Sequence, residues 1–193
     1  MRVSRIAAPA FLLALVGCAT PSEPIPTGPP PDWKLASASM ATGNNLQGTA
    51  NGGQISLTIV GHSATGPRAN LDVGRGVVRG TGNSGRTVQV TMKDSKAEGL
   101  VGSVPFSCLV DINPDGSAHM TGAMGVGNTD FILSPKGING RIGVVVYNLT
   151  WTGEKYEGQM MPGGYGYLQL PAVMATWSDV EVATFVSLML MGA

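Results

Sequence analysis

Apolar and polar residues alternate with a period of two along much of the chain. Between Gln54 and Val60, the apolar Ile55, Leu57 and Ile59 are separated by Ser56 and Thr58. Between Arg86 and Met92, Val88 and Val90 are separated by Gln89. Tyr165 to Leu170 alternates in the same way, and Arg141 to Trp151 is a long run rich in β-branched and aromatic side chains. Alternation of this kind sends one set of side chains to a core and the other to water, as half-buried strands do. Turn-forming residues punctuate the runs at Gly43-Asn44-Asn45, Gly80 to Gly85, Asn113-Pro114-Asp115-Gly116, Asn139-Gly140 and Thr152 to Lys155. These are hairpin signals, because Gly and Asn reach the positive φ that tight turns need. The pattern predicts a mainly β domain, an antiparallel barrel or sandwich of roughly 8–10 short strands. Glycines at positions 74, 76, 99, 102, 122 and 125 read as bends or bulges within strands. They tilt the choice toward a barrel.

No sustained helical period appears before residue 172. The last segment reads two ways. Ser178-Asp179-Val180-Glu181 has the form of a capping box that opens a short C-terminal helix. Yet Val180, Val182, Thr184, Val186, Leu188 and Leu190 also alternate, and β-branching over residues 180–186 favours a strand.

The first residues follow other rules. Arg2 and Arg5 precede a short apolar run from Ile6 to Val16, the charged-then-apolar layout of an export signal. The run is too short to span a bilayer. It ends in Leu15-Val16-Gly17-Cys18. This motif resembles the lipobox of bacterial lipoproteins. The resemblance implies cleavage after residue 17 and lipid attachment to Cys18, with acyl chains such as palmitate. Two or three acyl chains anchor stably where one holds only marginally. Ala19, in place of Asp, implies the outer membrane in Gram-negative members of that family. Residues 18–32 then carry six prolines, a stiff extended linker. The expected organisation is a signal peptide over 1–17, a lipidated linker over 18–32 and one extracytoplasmic β-rich domain over 33–193.

Composition sharpens this picture in two ways. Charged residues are only 12% of the chain, about half the usual share. Once Arg2 and Arg5 are removed, ten basic residues face twelve acidic ones, and no basic cluster offers a footprint for nucleic acid. With Cys18 lipidated, Cys108 is left alone in the apolar run Phe106 to Val110, where burial as a small hydrophobe is expected.

Candidate chemistry is sparse. Gly80 to Gly85 spells G-x-G-x-x-G, but a strand pattern follows where a dinucleotide site needs a helix, so a hairpin loop is expected. Asp111, Asn113 and Asp115 match the opening of a calcium loop. The same stretch, Asn-Pro-Asp-Gly, is also a strong turn sequence, and the turn is the preferred reading. His62, Cys108, His119 and Met124 resemble a cupredoxin ligand set, but the ten residues between Cys108 and His119 depart from that family's spacing. No nucleophile elbow occurs, and the scattered acids single out no pair. Met160, Met161, Tyr165 and Tyr167 form a late cluster that could line an apolar ligand site.

The sequence thus points to a lipid-anchored envelope lipoprotein, non-catalytic and without cofactor, that binds or scaffolds an envelope protein. A barrel carrying a small apolar ligand is the alternative, and an envelope enzyme without a recognisable motif a third reading.

Overall fold

The computed structural model describes residues 43–50, 53–125 and 127–193. The signal peptide expected over 1–17, the Cys18 motif and the linker expected over 18–32 lie outside these residues.

The described residues form fourteen strands: β1 (Asn45–Ala50), β2 (Gly53–Val60), β3 (Ser63–Thr65), β4 (Asn70–Gly74), β5 (Val77–Thr81), β6 (Thr87–Lys93) and β7 (Lys96–Val101), then β8 (Val104–Ile112), β9 (Ala118–Met124), β10 (Gly127–Ser134), β11 (Gly137–Ile142), β12 (Val145–Trp151), β13 (Tyr156–Met161) and β14 (Gly164–Gln169). Each pairs antiparallel with its sequence neighbours, and β1 closes on β14 to complete an up-and-down barrel. Closure leaves no free sheet edge. The barrel was expected; the strand count exceeds the expected 8–10 because many strands have only three to six residues.

Side-chain alternation sets the wall. On β2, Ile55, Leu57 and Ile59 are buried, and Gln54, Ser56 and Thr58 are exposed. On β6, Val88, Val90 and Met92 point inward, and Thr87, Gln89, Thr91 and Lys93 point outward. Apolar-in and polar-out is the reverse of the wall of a membrane-spanning barrel. No helix among the described residues is long and apolar enough to cross a membrane.

Glycines recur at central inward positions on alternate strands. Gly48, Gly80, Gly99, Gly122, Gly140 and Gly158 pair with inward residues such as Leu168, Val88, Phe106, Cys108, Tyr147 and Leu149. A Cβ at Gly99 would collide with the Gln89 carbonyl, and one at Gly140 with the Asp130 carbonyl. These sites are kinks that bend the sheet so that it closes. Asn139-Gly140, expected as a turn, is therefore the middle of β11. Gly99 and Gly122 are mid-strand as expected, whereas Gly76, Gly102 and Gly125 lie in the turns.

A short 3-10 segment (Ala172–Thr176) leads into helix α1 (Asp179–Leu190). The strand reading of this segment is corrected. Residues 181–190 are all buried. The helix lies against β4, β8 and β9, and the Tyr147 hydroxyl on β12 donates to the Leu190 carbonyl at 2.6 Å. Contacts on all sides place α1 inside the barrel. Its twelve residues span about 18 Å, enough to thread the lumen. An internal helix has no wet face, so its sequence is apolar all round and fits both periods.

The caps decide between those periods. The Ser178 hydroxyl accepts from the Glu181 amide, and the Glu181 carboxylate accepts from the Ser178 amide at 2.8 Å. At the other terminus, Gly192 N–H donates to Met189 and Ala193 N–H to Leu188, a Schellman ending with Gly192 at φ +77°. The helix enters at the end we term proximal, where Trp177 Nε1–H donates to Gly61 O at 2.8 Å. It leaves at the distal end, where the Asn83 amide donates to the Ala193 carbonyl at 2.8 Å.

Candidate functional sites

With α1 in the lumen, the chemistry available to other molecules lies on the outer wall and the two rims. The late Met and Tyr cluster divides across the wall. Met160 is buried beside Gly166, while Met161 points outward and is 60% exposed. Tyr165 is 61% exposed. Met161 sits at the distal end of β13 directly across from Val146 on β12, and Val144 in the adjoining turn is 75% exposed. With Pro162, the exposed Val144 and Met161 side chains make a small apolar group at the distal rim, while the Tyr165 hydroxyl donates down the wall to the Glu157 carboxylate. Sequence reading found Met161 and Tyr165 but missed Val144, which sits in a Gly-Val turn inside a β-branched run.

Tyr167 belongs to a polar group lower on the same wall. Lys155 Nζ lies 5.2 Å from the Tyr167 ring centroid and 2.7 Å from a Glu157 carboxylate oxygen. The ammonium holds the Glu157 carboxyl below its ordinary range. The four residues named from sequence therefore do not line one pocket.

Asp111, Asn113 and Asp115 are in and beside the turn between β8 and β9. Asn113 N–H donates to Ser117 O at 2.8 Å, and Gly116 takes φ +78°, as a type I turn with a left-handed glycine requires. One Asp115 oxygen accepts from the Ser117 hydroxyl at 2.7 Å and from its amide at 2.9 Å, which lowers the pKa of that carboxyl. Among the described residues no three His, Cys, Asp or Glu side chains gather to hold a metal. The copper-type set is dispersed. Cys108 and Met124 point into the barrel, His62 is on the proximal rim, and His119 is on the outer wall with Nε2 2.8 Å from Asp130 Oδ1. Gly80 to Gly85 spans the end of β5 and the hairpin to β6.

Cys108 is buried as expected. Burial pushes its thiol up to about 11. A thiol so protonated is a poor nucleophile at neutral pH.

Among the described residues, three surface clefts have volumes of about 630 to 650 Å³. One of about 630 Å³ lies on the wall between Thr121, Asp130, Arg141 and Val146. One of about 650 Å³ lies at the distal rim near Arg68 and Arg86. The third, of about 640 Å³, lies at the proximal rim around His62, Arg75 and Arg79. Sequence reading named none of them.

Comparison with known proteins adds no relative. No protein-family model, no curated protein and no solved structure matches the chain.

Proposed function

We propose that the protein is a lipid-anchored envelope lipoprotein, held by Cys18 at the outer membrane, whose barrel is a non-catalytic module that binds or scaffolds an envelope protein. The observation that carries this reading is the exposed apolar group of Val144, Met161 and Pro162 on the distal rim, flanked by the exposed Tyr165 ring. Apolar side chains grouped in this way cost free energy in water and mark contact surfaces. The position suits the task. β1 begins at the proximal end, where the Ile59 amide donates to the Asn44 carbonyl. A tether that joins the barrel there leaves the distal rim facing away from the membrane. The distal turns also carry no carboxylate among the described residues, only Arg68 and Arg86. That lack lowers the desolvation cost of contact.

Carriage of an apolar ligand is compatible with a closed barrel as an architecture. Here α1 fills the lumen, so such a ligand would have to displace the helix or sit on an outer cleft.

Two experiments test the proposal in cells. Cys18→Ser should release the protein from the membrane fraction, and continued pelleting would refute lipidation. A photocrosslinking residue at position 161 or 165 should trap one discrete protein, while one at 91 on the opposite wall should not. Equal trapping at all three positions, or none at any, would remove the distal rim as the contact surface.

A further inference from the structure

The proximal rim carries a cleft for which partner binding at the distal rim has no use. His62, Asp72, Gly74, Arg75, Val77 and Arg79 line it, with a volume of about 640 Å³. Three of these side chains can bear positive charge: His62 and Arg79 are held by neighbouring groups, and Arg75 is placed at the cleft by the backbone of its turn. The His62 ring stacks on Trp177, with centroids 5.9 Å apart and planes 12° from parallel. Gly74 makes room for that ring, since a Cβ there would approach His62 Nδ1 to 2.9 Å. Arg79 is fixed by Asp72, whose Oδ2 accepts from Nε at 3.1 Å and from a terminal nitrogen at 3.0 Å. Arg75 is placed by its turn. It and Gly76 form the two-residue loop between β4 and β5, with φ of +55° and +74°.

Arg75 is the telling residue. A loop with positive φ at both central positions favours Asn or Gly, and a side chain with an ordinary Cβ is strained there. Arg75 has no ion pair among the described residues that would compensate. Asp72 and Arg79 neutralise each other, so the cleft keeps the charge of Arg75 and any proton on His62. Guanidinium groups present planar forks of donors that match the oxygens of phosphates and carboxylates. Groups already held in position bind without a large ordering cost.

We propose that this cleft binds a small soluble oxyanion of the phosphate type, gripped by Arg75 and Arg79 with His62 as the third contact. The site is independent of the distal-rim reading and could stand if that reading fell.

The test is calorimetric titration of the full chain, in neutral detergent and phosphate-free low-salt buffer, with inorganic phosphate. Saturable binding at one site is expected. Arg75→Asn and Arg79→Gln should each weaken it by about tenfold or more, the scale of a lost charge-assisted pair. Arg86→Gln, at the opposite rim, should leave it unchanged. Arg75→Asn places a residue suited to the turn, so the variant should fold with a urea midpoint at or above that of the parent. Loss of binding there reports the guanidinium, not the fold. Absence of saturable heat in the parent chain overturns the proposal. So does binding by Arg75→Asn at parental affinity, or equal weakening by Arg86→Gln.

Discussion

Arg75 and Cys108 show how far single residues could be read. Gly74 and Gly76 read as bends within a strand, and no local pattern tells that Arg75 itself takes φ +55° in a two-residue hairpin between them. That strain is a stability statement. Arg75→Asn should stabilise the fold by about 0.5–1 kcal/mol, read as a higher urea midpoint at unchanged slope. A lower midpoint would mean that the arginine makes a compensating contact. Cys108 was readable because its neighbours Phe106 and Val110 share its strand face. With its thiol at about 11, the reactive thiolate is scarce at neutral pH and becomes appreciable only as pH approaches that value. A disulfide reagent at pH 8 should leave native Cys108 unmodified and react quickly once urea unfolds the chain. Rapid labelling of the native protein would place the thiol at the surface.

Among the elements, the strands were easy and α1 was hard, for one physical reason. A strand in a barrel wall has a wet side and a dry side, so its period is printed in polarity. A helix within the lumen has no wet side. Every residue from 181 to 190 is buried, the polar Thr184 and Ser187 included, so no wet side marks a helical period and the alternation there is incidental. Only Ser178 and Glu181, at the mouth, kept a helical signature. Ser178→Ala should cost about 1 kcal/mol through loss of the cap. A second test lies deeper. Thr184 is fully buried and its hydroxyl has no hydrogen-bond partner among the described residues, whereas the Ser187 hydroxyl donates to the Thr184 carbonyl at 2.7 Å. Thr184→Val removes an unpaired polar group at constant shape and should stabilise by about 1 kcal/mol. Destabilisation in chemical denaturation would reveal a partner for that hydroxyl.

For the whole molecule, antiparallel closure was readable from turn spacing and mid-strand glycines. The strand number was not. β3 has three residues and β4 and β5 five each, too few to print a clear period. Gly140 was misread because Asn-Gly signals a turn locally, while the neighbouring strands use the missing Cβ to kink β11. Long-range pairing overrode local preference there. The outer clefts were invisible for a related reason: they join residues from separate hairpins, and no spacing along the chain encodes that meeting. What the fold implies for function rests on the filled lumen, which directs any partner or ligand to the outside.

Hydrogen exchange of the α1 amides tests that most directly. If the helix is the barrel's own core, Val182 to Leu190 should exchange only through global unfolding, with the same opening free energy as the inward-facing strands β8 and β9. Exchange of α1 through a much smaller opening, while the strands stay protected, would contradict it. The lumen would then be a gated cavity, and carriage of an apolar ligand would displace the partner-binding reading.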